Sequence, residues 1–92
     1  MILECGATPM MWEGRVGGNG LRPYIGTVVA RWNDPHPYVV WDIASDDGLH
    51  WDCFAGDYCE EITDALDVFA HRVKHSAGIV STDEQYKQKE VA

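Results

Sequence analysis

Positive charge is what this chain lacks most conspicuously: between Asp42 and Asp67 there is no lysine or arginine. The same stretch carries nine carboxylates, namely Asp42, Asp46, Asp47, Asp52, Asp57, Glu60, Glu61, Asp64 and Asp67. The formal charge of -8 is therefore local, because residues 1–41 sum to zero and residues 68–92 to +1. Such a field repels nucleic acid and anionic membrane and attracts basic surfaces, so direct contact with the first two is not expected. No run approaches the ~20 apolar residues that cross a bilayer. The N-terminus lacks a charged segment followed by an apolar stretch, so no export signal is expected, and Cys5 lies too near the start for a lipoprotein cleavage site. Cysteine is scarce and odd in number, at three, which fits a reducing cytoplasm better than a disulfide framework.

Catalytic motifs are missing too. The three serines, Ser45, Ser76 and Ser81, occupy no Gly-x-Ser-x-Gly elbow. Gly17-Gly18-Asn19-Gly20 is followed by neither a lysine nor a helix start, so it does not cradle phosphate. The carboxylate pairs Asp46/Asp47 and Glu60/Glu61 fall on a turn and a first helical turn, where structure already accounts for them. Cys59 near a helix start gains little as a nucleophile, since Glu60, Glu61 and burial all oppose thiolate formation. The expectation is a protein without enzymatic activity and without a cofactor.

What is present argues for a folded domain. Apolar content of 46% with four tryptophans offsets the entropy of ordering a 92-residue chain. One α+β domain over residues 1–80 is expected, followed by a polar, frayed tail over 81–92. Three β-rich runs, 24–32, 38–44 and 49–54, are separated by Asn33-Asp34-Pro35-His36-Pro37 and Ser45-Asp46-Asp47-Gly48. Alternation puts Val28, Ala30, Trp32, Val39, Trp41, Ile43, Leu49, Trp51 and Cys53 on one face, the expected core. Thr27, Val29, Arg31, Tyr38, Val40, Asp42, His50, Asp52 and Phe54 share the other. A three-residue loop Asp46-Asp47-Gly48 would pair Ile43 with Trp51 and Trp41 with Cys53, with Gly48 in the left-handed conformation. Residues 10–16 suit a fourth strand anchored by Trp12.

After Phe54 the period changes from two to 3.6. Asp57 reads as an N-cap and Glu60 as its capping-box partner. Ile62, Leu66, Phe69 and Val73 recur at helical spacing, which predicts a helix over 58–76 stopped by Gly78. The expected architecture is an antiparallel meander of three or four strands with one C-terminal amphipathic helix packed on one face.

Two chemistries compete for the side chains left over. Cys53, Cys59, His71 and His75 suggest a zinc module, as do Asp67, His71 and His75 along one helix face. Against the first, five residues separate the cysteines, and the histidines project about 160–200° from the apolar stripe. Both cysteines read instead as small buried hydrophobes, and no metal is assigned. The second chemistry is docking. Asp42, Asp52, Glu61, Asp64 and Asp67 have no turn or capping duty, and Tyr38 and Phe54, with Trp12 or Tyr24, would supply aromatic anchors on the second sheet face. The competing reading is that the acids serve solubility and that the N-terminal segment covers that face. Left open, the face would pair with a partner or with a second copy in a homodimer. Full mimicry of DNA is not expected, since a domain about 30 Å across would need on the order of 18 charges.

The run His36-Pro37-Tyr38-Val39-Val40-Trp41-Asp42, followed by Gly48-Leu49-His50-Trp51 and a short acidic helix, resembles small actinobacteriophage (mycobacteriophage-type) proteins over residues 24–73. The resemblance implies action in the host cytoplasm, by binding and disabling a host protein, and assigns no role to any residue. The expected function is an acidic inhibitor or modulator that docks on a basic surface of a cellular protein. A toxin-neutralising immunity protein or an oligomeric accessory protein would satisfy the same features.

Overall fold

β-Branched and aromatic residues dominate the middle of the chain, and there they form strands. The computed structural model describes residues 1–16, 22–33 and 35–76. The strands are β1 (Ile2–Leu3), β2 (Thr8–Val16), β3 (Tyr24–Arg31), β4 (Tyr38–Ser45) and β5 (His50–Cys59), and one helix follows, α1 (Ile62–Ser76). Together they make one five-stranded sheet in the order β1-β5-β4-β3-β2. The fold is α+β. Strands β2 to β5 are antiparallel neighbours, whereas β1 joins β5 in parallel. The sheet is therefore mixed and curls into a half-barrel, which departs from the simple meander expected. The glycine run at 17–20, Gly78 and the tail at 81–92 lie outside the described residues.

Both faces of the sheet are covered. On one, Val28, Ala30, Val39, Trp41, Ile43 and Trp51 pack with Leu3 and Ala7 from the N-terminal segment. On the other, Val29 and Val40 pack with Ala65, Ile62, Val68 and Phe69 of α1 and with Tyr38 and Cys59. The tryptophan face is a core, as the alternation indicated, except at Leu49, which is 48% exposed. Its cover is the N-terminal segment, and the helix lies on the second face, which the sequence left either open or covered by that segment. Helix α1 takes up the part of that face around Val29 and Val40. The helix stripe also shifts: Ala65 is fully buried while Leu66 is 37% exposed. Trp12 lies in β2 as expected but is no anchor, being 49% exposed.

The β4–β5 connection explains two further departures. The observed register pairs Ile43 with Cys53 and Ala44 with Asp52, two residues away from the expected pairing. Parity is conserved, so Trp51 still faces the core. The loop is longer than three residues because Ser45 and Asp47 hold it with their side chains. Ser45 Oγ accepts the N–H of Gly48 at 2.8 Å, and the Asp47 carboxylate accepts those of Leu49 and His50, both at 2.8 Å. Gly48 takes the left-handed conformation, at φ 78°. Its carbonyl accepts the Trp51 indole N–H at 3.2 Å.

Strand β5 then runs on to Cys59, across a register shift between Val40 and Asp42. Opposite that shift stand Ala55, itself left-handed at φ 55°, and Gly56. A methyl group on Gly56 would meet Trp41 Nε1 at 2.7 Å, so the indole lies directly on the glycine. The bulge lets Tyr58 pair with Val39 and Cys59 with Tyr38. These ladder bonds displace the capping box expected of Asp57 and Glu60, and α1 begins at Ile62 instead. The first intrahelical bond runs from Ala65 N–H to the Glu61 carbonyl, so the chain caps one residue before Ile62.

The bulge predicts opposite signs for two adjacent substitutions. Ala55→Gly relieves a side chain held at positive φ and stabilises the fold by about 0.5–1 kcal/mol. Gly56→Ala pushes against the buried Trp41 ring and destabilises by about 1–3 kcal/mol. Urea midpoints of the two variants against wild type check both.

Candidate partner-binding surface

A carboxylate is available to a partner only if the fold leaves it unpaired, and the nine acids divide sharply on that test. Six of them have a basic neighbour: Asp42 and Asp57 at Arg72, Asp46 and Asp52 at Arg22, Asp47 at His50, and Glu60 at the His36 ring. Glu61, Asp64 and Asp67 are exposed and make no ion pair among the described residues. The first belongs to the turn entering α1, the other two to its outer side. Asp42 and Asp52, expected to be uncommitted, are engaged.

Arg72 is the strongest of these links. From the third turn of α1 it reaches back across the sheet. Its Nη2 donates to Asp57 Oδ2 at 2.7 Å and its Nε to the same oxygen at 3.2 Å, and Nη2 also donates to the Ala55 carbonyl. Its Nη1 lies 3.3 Å from Asp42 Oδ1, and both of those atoms are buried. The guanidinium side chain is only 17% exposed. Its position opposite Asp42 depends on the helix lying on the second face.

Arg22 sits at the opposite end of the sheet, ahead of β3. It donates from Nη1 to Asp52 at 2.7 Å and from Nε to Asp46 at 3.1 Å. Those bonds, to Asp52 first and then Asp46, raise its already high pKa. The neighbouring turn is equally bound. The Asp47 carboxyl is held far below the usual range, chiefly by the His50 ring at 2.8 Å and then by the N–H groups of His50 and Leu49. The same contact raises His50. With Glu4, these residues line a polar hollow of about 180 Å³.

The aromatic anchors are dispersed. Tyr38 is half-buried beneath α1, with the Arg31 guanidinium 5.8 Å from its ring centre, so it belongs to the core under the helix. Phe54 lies on the helix side of the sheet, 48% exposed, beside a hollow of about 180 Å³ formed with Arg15, Ile25 and Asp42. Trp12 and Tyr24 belong to the tryptophan face, contrary to expectation. There they line a groove of about 540 Å³ with Val16 and Trp51.

The metal arrangements do not assemble. Cys53 packs against the tryptophan core and Cys59 beside α1, on opposite faces of the sheet, because the bulge reverses the alternation between them. The His71 and His75 rings lie 4.1 Å apart on the helix surface. Among the described residues no group of three or more His, Cys, Asp or Glu side chains is placed to hold a metal ion. Nor is any described helix long and apolar enough to cross a membrane.

No protein-family model, curated protein or solved structure matches the chain.

Two predictions follow from the ion pairs. Arg72→Ala leaves Asp42 Oδ1 buried without its counter-charge and costs on the order of 2 kcal/mol in urea unfolding. Arg22→Ala, whose partners are solvent-screened, leaves stability nearly unchanged. In the turn, the depressed Asp47 contributes stability that is present above its unfolded pKa of about 4 and is lost as pH falls through the folded value. The raised His50 contributes stability present below about 6.5 and lost as pH rises through its folded value. The pair is therefore strongest between those limits. An NMR titration should place the His50 midpoint above about 6.5, and Asp47→Asn should bring it back down.

Proposed function

We propose that this chain is a non-enzymatic protein-binding module that docks on a basic surface of another protein. The observation that supports it is the division of the acids. Six carboxylates meet basic side chains within the fold, and Glu61, Asp64 and Asp67 are left exposed at and beyond the start of α1. One side of the helix is spent on Val29 and Val40, and the amphipathic division of α1 leaves the acidic side for the partner. Phe54, half exposed on the same side of the sheet, supplies apolar area.

Three exposed carboxylates steer association more than they add affinity. Their field reaches about 8 Å at physiological salt, so the complex forms faster at low ionic strength and weakens as salt rises. The phage-type resemblance of residues 24–73 supplies the biological reading: a phage- or bacterium-encoded inhibitor or modulator acting in the host cytoplasm. Asp42 and Asp52 contribute to the local field but are not contact residues while Arg72 and Arg22 hold them.

Capture from a bacterial lysate at low and high salt tests the reading. The wild-type chain should retain a basic protein at ~50 mM salt and lose it at ~500 mM. The triple charge reversal Glu61→Lys, Asp64→Lys and Asp67→Lys should cut retention about tenfold or more at low salt, with the fold intact by circular dichroism. Retention that ignores both salt and the substitutions would remove the electrostatic basis of the proposal.

A further inference from the structure

The register of the parallel pair β1–β5 carries a consequence for two cysteines. Ile2 pairs with His50 and Leu3 with Trp51, a constant offset of 48 residues. The Glu4 N–H donates to the Trp51 carbonyl at 2.9 Å, so the alignment continues past the strand end. Cys5 follows in the turn that the Gly6 N–H closes onto the Leu3 carbonyl, and its Sγ lies 3.4 Å from that of Cys53. Both are free thiols. Closing the sulfurs to about 2.05 Å asks for a movement of about 1.4 Å, within reach of side-chain rotation.

We infer that Cys5 and Cys53 form a dithiol redox site that a low-molecular-weight disulfide oxidises to an intramolecular disulfide, fastening the N-terminal segment over the tryptophan core. The two thiols differ in the way the reaction needs. Cys5 is exposed and meets the oxidant, whereas Cys53 is packed against the core beneath it. The Cys5 thiolate attacks the small disulfide. A bond forms from Cys5 Sγ to one of its sulfurs, the original sulfur–sulfur bond breaks, and the first thiolate departs. Cys53 then gives its proton to solvent, attacks Cys5 Sγ and expels the second thiol. Two protein thiols lose two electrons in all, and one small disulfide becomes two thiols.

The second step is the slow one. Burial, then the neighbouring Cys5, pushes the Cys53 thiol up to about 12. Little thiolate is therefore present at neutral pH, and ring closure speeds up as the solution becomes more alkaline. Cys59 does not compete. It lies on the other face of the sheet, with its thiol raised by burial and by Asp57 and Asp64.

What the bond would secure is the cover of the tryptophan face. Leu3 and Ala7 are buried there, held by a two-residue strand and a few backbone bonds. A crosslink enclosing roughly 50 residues removes much of the freedom of the unfolded chain.

The test uses the full chain incubated with oxidised glutathione at pH 8.5, followed by intact-mass and peptide mapping. The expected product has lost two hydrogens, keeps one free thiol and yields a Cys5–Cys53 peptide pair. Its Tm should rise by on the order of 10 °C over the reduced chain, and dithiothreitol should reverse the rise. Cys59→Ala should behave identically. Cys53→Ala should stop at a glutathione adduct on Cys5. A wild-type chain that also stops at that adduct, that pairs Cys59 instead, or that forms the bond without a change in Tm overturns the inference.

Discussion

Strand β4 is buried on both sides, and the rest of the molecule answers that constraint. Seven of its eight residues sort into two covered faces, so each face must find apolar partners. The N-terminal segment covers the side bearing Trp41 and α1 covers the side bearing Val40. Asp42 is its one charged residue, half-buried at the centre of the strand. A carboxylate there is tolerable because Arg72 arrives with the helix and sets its charge 3.3 Å from Asp42 Oδ1. Helix docking and neutralisation of the sheet are thus one event: moving α1 off the second face would strand Asp42 as well as expose Val29 and Val40.

The charge pattern acquires a different meaning once folded. A window with nine acids and no lysine or arginine looks like one continuous negative surface. The basic side chains that meet six of them come from outside it, or from its own histidine: Arg22 ahead of β3, Arg72 near the end of α1, His36 between β3 and β4, and His50 in β5. What survives as unneutralised surface is narrower and lies at the helix. This concentrates the proposed docking on Glu61, Asp64 and Asp67 and demotes Asp42, Asp52 and Tyr38 to structural duty.

The three cysteines show how topology assigns chemistry. Cys53 and Cys59 are six residues apart on one strand, yet the Ala55-Gly56 bulge turns them to opposite faces, which ends any shared metal site. Cys5, nearly fifty residues distant, is carried next to Cys53 by a strand of two residues. Proximity here follows from the strand order, and spacing along the chain is no guide to it.

The sequence by itself determined the local elements. Alternation at Val39, Trp41 and Ile43 marked a strand with one apolar face, Gly48 marked the turn, and the spacing of Ile62, Phe69 and Val73 marked a helix. Short-range sterics and periodicity decide those features, and neighbouring residues suffice to read them. Which element covers which face was settled only in three dimensions, because Val29 and Val40 accept a helix as readily as the tryptophans do. The start of α1 was settled there too, since ladder pairing of Tyr58 and Cys59 with β4 prevails over a local cap. So was the pairing of acids with cations, because an ion pair depends on separation in space, and nothing in the order of residues brings Arg72 to Asp42 or Cys5 to Cys53.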